Sequence, residues 1–556
     1  MKTTTDTSDP ITLSDQLLSS LLGEIPTIPH FKGKWSLVTS KLHLLHSRLA
    51  DFSSHFPHSS SSNSLSRDLL LSIAKTLRDA VSLVKDCQFP TLSHGKLKTQ
   101  SLIDSLLATL DRYLSDSDVL LKSGVLRDDA VSTTSNRDGV RSESTYLTAR
   151  LQIGSSESRI LAMDSFLGLL QENDKNVMIA VAQGVVPVLV RLLDSSSSEM
   201  KEKIVAAISR VSTVDTSKHA LIAEGLVLLN HLLRVLDHGS GFAKEKACIV
   251  LQALTFSKEN AWAIGSRGGI SSLLDICQVG TPGSQASAAR VLRNLAVFPE
   301  VRENFVEENA VVVLLELVSS GTAIAQENAI GCLSNLISDD ESLKLMSVTE
   351  GGVECLKNFW DSVPSVHSLE VAIELLISLA SSPPISEVLI SDGFIPRLAG
   401  LLRCGVLRMR IAAARAVYTL GSSTTKAKKE MGEFGCITPL IQMLDGKAVE
   451  EKEAAAMALS ILMLYTGNRR IFRKDERGIV SAVQLLDPSI QNLDKKYPVS
   501  ILLSLVHSKT CRKQIAAAGA GVHTRKLVEM NVEGSKKLLD SLGRAKIWEA
   551  FARSLG

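Results

Sequence analysis

Aromatic residues are scarce in this 556-residue chain, 4% of the total against 45% hydrophobic residues overall. The apolar stock is therefore Leu, Ile, Val and Ala, which suits helices, since sheet-rich folds draw more on aromatics. An excess of one charge is also missing. Lys and Arg number 61 against 59 Asp and Glu, and a net +2 supplies no global field for nucleic acid or an anionic membrane. No specific nucleic-acid partner is expected, and any charged partner must be recognised locally. The eight cysteines are scattered without a C-x-x-C pair and read as reduced packing residues. The most apolar run, Ala454 to Tyr465, is too short to cross a bilayer. The opening Met1-Lys2-Thr3 carries neither a charged-then-apolar leader nor a glycine for myristoylation. These absences lead to the expectation of an intracellular, soluble protein without integral membrane association. Cytoplasm and nucleus are both permitted, and peripheral contact with a membrane stays open.

Motifs that demand catalysis are missing too. Gly33-Lys34 lacks the upstream glycine spacing of a phosphate loop, and Gly519-Ala520-Gly521 is not followed by a nucleotide fingerprint, so both read as turns. His43, His46, His55 and His58 come without cysteines or a carboxylate cluster and read as solvent-facing rather than metal-binding. The expectation is a non-enzyme with no cofactor and no metal.

What is present is a period. From about residue 174 a polar turn, a short helix, a glycine and an apolar helix with paired leucines recur. The clearest copies are Gly184 to Leu193, Gly393 to Leu402 and Gly435 to Leu444. Weaker copies start at Gly225, Gly269, Gly352, Gly478 and Gly521, and Ala310 takes the glycine place once. Successive anchors lie 41 to 44 residues apart, a spacing that belongs to stacked helical repeats of two or three helices. The glycine allows a sharp left-handed turn between helices, and Pro187 and Pro396 fall in the first turn of the next helix, where a missing N–H costs little. A longer third helix follows, as in Ala286 to Ala296, where small residues allow close packing. No single unit can bury its own apolar face, so neighbours must stack and the ends must be capped. Ser144 to Glu172 reads as an incomplete leading repeat and Val522 to Phe551 as the closing cap.

Residues 1–122 lack the period but show amphipathic spacing. Leu17, Leu18, Leu21 and Leu22 share a face, as do Trp35, Val38, Leu42, Leu45 and Leu49, and later Leu102, Ile103, Leu106, Leu107 and Leu110. The organisation expected is a helical bundle over 1–122, a flexible linker over 123–143 and about nine repeats over 144–556.

The G-x-I-P-x-L-x-x-L-L pattern at these intervals resembles the armadillo repeat family, which includes importin-α, β-catenin and plant U-box armadillo proteins. The resemblance implies an all-α fold, a right-handed α-solenoid or armadillo superhelix, preceded by a separate N-terminal helical bundle. Phe31 to Leu37 followed by Leu42 to Leu49 looks like the N-terminal helical domain of the plant proteins. Those commonly carry a U-box, a small ubiquitin-ligase fold, between the two regions, whereas only a short linker stands here. The layout therefore resembles the U-box-less plant armadillo proteins.

In importin-α the third helices present asparagines, each with a tryptophan one turn earlier, that hold an extended basic peptide. The corresponding asparagine places here are Arg210, Ala253, Asn294, Asn335, Ser378, Thr419, Ile461 and Ser504. One turn earlier stand Ala206, Ile249, Arg290, Gly331, Glu374, Arg415, Met457 and Ser500. Two asparagines and no tryptophan disfavour import-cargo binding. The candidate partner-binding residues are Arg290, Arg293, Asn294, Asn335 and Arg415, on a groove expected to be concave, with the two asparagines read either as partner contacts or as ties between their own helices. A second candidate is the basic set from Arg403 to Lys474, read either as a positive ridge for an acidic protein segment, a phosphoinositide headgroup or RNA, or as ordinary solvated faces among the interspersed Glu430, Glu433, Glu450, Glu451 and Glu453. The function expected is a protein-interaction scaffold or adaptor that takes extended or helical partner segments, the alternative being an auxiliary subunit of ubiquitin-ligase or membrane-trafficking machinery.

Overall fold

The computed structural model describes residues 10–55, 64–89, 92–123, 136–195, 197–362 and 365–543, and every regular element among them is a helix. His58 and the final stretch of the predicted cap, 544–551, lie outside the described residues. The chain forms two compact units, Met1–Leu254 and Thr255–Gly556.

The first unit opens with α1 (Pro10–Glu24), α2 (Lys32–His55), α3 (Ser64–Gln88) and α4 (Lys96–Ser123). α1 packs on α3 and α2 on α4, burying Leu18, Leu21, Trp35, Leu42, Leu45, Leu49, Ile73, Leu77, Ile103 and Leu110 in one core. The amphipathic spacing thus places most of the core correctly. Leu102 is the exception: it is 39% exposed, because its position on α4 falls at the edge of the apolar stripe. Lys34–Asp104, Lys41–Asp111 and Arg48–Asp118 ion pairs recur every seven residues along α2 and α4. Two helices paired in ascending order at heptad intervals run parallel. Each exposed pair stabilises by only about 0–1 kcal/mol, so the ladder selects register more than it adds stability. Gly33 lies inside the first turn of α2 rather than in a free turn, and Gly519 is the left-handed turn residue expected.

The segment 123–143 departs from a flexible linker. Residues 124–135 lie outside the described residues, and from Asn136 the chain is helical as α5 (Asn136–Ile153), followed by α6 (Ser156–Glu172). Ser and charged residues at the start of α5 mask its apolar stripe, which buries Leu147, Ala149 and Leu151. Tyr146 and Ile153 of α5 lie against the core of α1–α4. Beyond α6, the third helices Ser198–Ser212 and Gly241–Leu254 continue the stack.

In the second unit the third helices are Pro282–Leu295, Ala323–Ile337, Val366–Ala380, Leu407–Ser423, Val449–Leu462 and Lys496–Leu505, each packed on the next. Alanines make the approach close: Ala288, Ala289, Ala413, Ala414, Ala455 and Ala456 are fully buried. The result is an all-α solenoid. The predicted turn glycines Gly184, Gly225, Gly393 and Gly435 have positive φ, whereas in three repeats the left-handed residue stands one or two places earlier, at Gly268, Gly351 and Gly519. Asn309 takes that role before Ala310, as asparagine tolerates the conformation better than most residues. Gly478 is not a turn residue: it is buried inside the helix Glu476–Gln484, and a Cβ there would meet the Phe472 ring at 2.9 Å. Its role is close approach.

One ionisable group in the first unit is strained by this packing. Asp116 of α4 is pushed up to about 6 by burial, against the opposing pull of Arg112 and Arg159. A carboxyl raised in the folded state holds its proton more tightly there than in the unfolded chain. Its contribution to stability is thus present in acid and lost as pH rises from about 4 through about 6. Asp116→Asn should raise the melting temperature at pH 7.5, and the gap from the parent should shrink when both are melted at pH 5.

Candidate partner-binding surface

A helix leaves its last four carbonyls without partners in its own ladder. In this chain the next repeat often supplies them. The Asn335 amide donates to the Arg293 carbonyl at 3.1 Å, near the end of the preceding third helix. Asn468, 1% exposed, donates to the Leu462 carbonyl at 2.9 Å and to the Lys428 carbonyl at 2.7 Å. Arg469 reaches the Met463 and Leu464 carbonyls, both at 2.9 Å. In the first unit Asn176 and Arg210 reach the Leu169 and Leu170 carbonyls, each at 3.0 Å.

A second polar seam joins the opening turns of the third helices. Ser368 donates to Glu327 at 2.6 Å, Arg408 pairs with Glu370 at 3.0 Å, and Arg410 pairs with the buried Glu451 at 2.7 Å. These carboxylates are absent from the sequence-based site. Their signal is a complementary partner about one repeat away: 41 residues separate Glu327 from Ser368 and Arg410 from Glu451.

The five predicted residues divide between these seams and the open surface. The Asn294 amide donates to the Thr255 hydroxyl at 3.0 Å, so both asparagines direct an N–H to their own chain and tie helices together. Arg293 is half-buried and lies across Gly331 of the next third helix, where any Cβ would collide with its Nε, Cζ and Cδ atoms. The glycine is a seat for that side chain. Arg290 and Arg415 are exposed, and among the described residues no hydrogen bond or ion pair engages either guanidinium. Glu374 is exposed and uncommitted in the same way at the equivalent place on the third helix just before that of Arg415. Open third-helix positions thus carry Arg290, Glu374 and Arg415 in order.

Buried thiols add no reactivity to this surface. Burial pushes Cys277 up to about 12 and raises Cys332 as well, with the nearby Arg293 charge opposing the latter shift. Such thiols stay protonated at neutral pH and pack as small apolar groups.

The basic set from Arg403 to Lys474 also divides. Arg408 and Arg410 belong to the seam, Arg403 donates to the Gly435 carbonyl at 3.1 Å, and Lys428 to the Thr424 carbonyl at 3.3 Å. Lys426 and Lys429 pair loosely with Glu430 and Glu433 one turn on. Arg470, Arg473 and Lys474 are exposed without a side-chain partner among the described residues. His43 and His46 are exposed, as expected. No single described helix is long and apolar enough to cross a membrane.

Comparisons with known proteins agree with this geometry. Residues 173–213 match the family described as Armadillo/beta-catenin-like repeat, and residues 12–125 match a Domain of unknown function (DUF7032). U-box domain-containing protein 8 of Arabidopsis thaliana is 26% identical over 219 residues, 39% of this chain and 57% of that protein. Probable importin subunit alpha-A of Dictyostelium discoideum is 33% identical over 95 residues, 17% of each chain. Residues 173–213 thus match an armadillo repeat inside the helical array. The chain's matches nonetheless span little more than half of the first relative and about a sixth of the second. Among solved structures, the crystal structure of an engineered protein, 23% identical, superposes with a TM-score of 0.64 over 72% of this chain and 99% of that one. That likeness speaks to the fold alone.

Within the helical repeats, seam residues and open residues should respond differently to truncation. Asn335→Ala removes a cap from a helix end and should cost about 0.5–1.5 kcal/mol, read as a lower midpoint in urea unfolding. Arg290→Ala and Arg415→Ala should leave that midpoint unchanged.

Proposed function

We propose that the chain is a non-catalytic adaptor whose third-helix face takes an extended or helical segment of another protein. The observation that carries the reading is the uncommitted series Arg290, Glu374 and Arg415, exposed at equivalent places on stacked helices. Side chains spent on holding the array together cannot pay twice, and these are not spent. Armadillo-repeat proteins bind other proteins, and the matched repeat and the importin relative support the same use here. In this reading residues 1–122 and 144–556 serve as two modules, the first docking elsewhere. Residence in the cytoplasm, with the nucleus permitted, is part of the proposal; eight cysteines, none of them in a disulfide, fit a reducing compartment.

A second reading is an auxiliary subunit of ubiquitin-ligase or membrane-trafficking machinery. The match to a U-box domain-containing relative favours the ligase side. Under either reading the chain has no ligase activity of its own. Mixed with E1, a panel of E2 enzymes and ubiquitin, it should form no chains, and robust self-ubiquitination would overturn the adaptor assignment.

The binding face is tested by cross-linking partners to the full chain in native extract and measuring each recovered partner against an R290E/R415E variant. At least tenfold weaker binding with an unchanged melting curve is expected. Unchanged affinity would move the contact off the third-helix face.

A further inference from the structure

The first helices of the last three repeats share a feature that the third-helix surface does not explain. Thr425–Glu433, Thr466–Phe472 and Lys509–Ala517 pack on the second helices Phe394–Leu401, Ile437–Leu444 and Glu476–Gln484, the same contact repeated three times. Counting five residues from their caps Thr424, Tyr465 and Ser508 gives Lys429, Arg470 and Lys513, all exposed and 41 and 43 residues apart. The residue before each is also basic and half-buried: Lys428, Arg469 and Arg512. Lys428 and Arg469 are turned back onto backbone carbonyls. The inner cation of these two pairs thus serves the fold and leaves the outer one facing solvent.

Earlier repeats of this unit do not share the pattern. Five residues after Ser257 and Asp340 stand Trp262 and Leu345, exposed by 59% and 45%, and five after Ser382 stands Glu387. The charge is therefore concentrated, not spread. From Tyr465 to Glu529 there are twelve Lys and Arg against five Asp and Glu, a local +7 in a chain whose total is +2. Thr466–Phe472 and Lys509–Ala517 contain no acidic residue. Arg470, Arg473, Lys474 and Lys509 have exposed side chains without a hydrogen bond or ion pair among the described residues.

We propose that these three first helices dock an acidic, extended segment of a partner protein. Thr425–Glu433 packs directly on Thr466–Phe472, and packed helices stand about 8–10 Å apart, a distance that about three residues of extended chain cover at roughly 3.3 Å each. The fitting segment therefore places Asp or Glu at every third residue, each opposite one repeat. Guanidinium groups such as Arg470 and Arg473 pair with carboxylates in a bidentate fork. A lipid surface fits less well, because Phe434 and Leu464, beside the ends of the first two helices, provide few exposed large apolar side chains for insertion. Single-stranded nucleic acid fits less well because the exposed Phe434 ring at the cap of the first helix has no counterpart on the other two for successive bases to stack on.

The test uses the full chain and a fluorescent peptide carrying Glu at every third position among serines, with a Gln-for-Glu peptide as its control. The acidic peptide should bind, the Gln peptide should not, and binding should weaken steadily as salt rises. An R470Q/R473Q/K474Q/K513Q variant should bind at least tenfold more weakly. R290E/R415E should bind as the parent does, which separates this surface from the third-helix face. Equal binding of the two peptides, insensitivity to salt, or an unaffected four-site variant would overturn the proposal. So would tighter binding to phosphatidylcholine–phosphatidylserine vesicles or to oligouridine than to the acidic peptide.

Discussion

Each third helix ends in carbonyls that its own ladder cannot satisfy, and a stacked array buries those ends against the next repeat. An unpaired buried carbonyl is expensive, so the following repeat must bring a donor to the right place. Asn335, Asn468 and Arg469 do so in the second unit, and Asn176 and Arg210 in the first. Hydrophobic burial drives the helices together without direction. The cross-repeat hydrogen bonds choose the register in which they settle. Once register is set, the opening turns can pair Glu370 with Arg408 and Glu451 with Arg410.

That constraint divides the surface. A polar side chain at a repeat junction either holds the stack or remains available to a partner, and the two groups lie side by side on the same helices. Asn294 and Arg290 are one helical turn apart, yet the first is tied to Thr255 and the second is uncommitted. The same division recurs on the first helices, where Arg469 caps and Arg470 is exposed. Binding surfaces in this chain are thus what remains after the array has been fastened.

Much of this is legible in the amino-acid sequence. The 41-to-44-residue spacing of the anchors gave the repeats, and the spacing of Leu18, Leu21, Trp35, Leu42, Leu45 and Leu49 gave the first core. Where reading failed, a local cue stood for two physical demands. Glycine marks both a left-handed turn and a close approach, so Gly478 passed for a turn while it makes room for Phe472. Serine and charge mark both a linker and the polar side of a helix, so the start of α5 passed for linker. Gly331 stands where importin-α has tryptophan, and only the packed structure reveals Arg293 seated across it.

Periodicity is a property of the chain, and the sequence by itself determined the all-α class, the repeat length and the glycine-bearing turns. It also determined which faces are apolar, because helical spacing alone decides which side chains emerge together. Which polar residues are spent and which are free was decided by tertiary structure. A hydrogen bond such as that from Asn335 to the Arg293 carbonyl joins residues 42 apart, and whether it forms depends on angstrom-scale register between helices. Residue type carries the capacity to donate or accept; only packing assigns the partner.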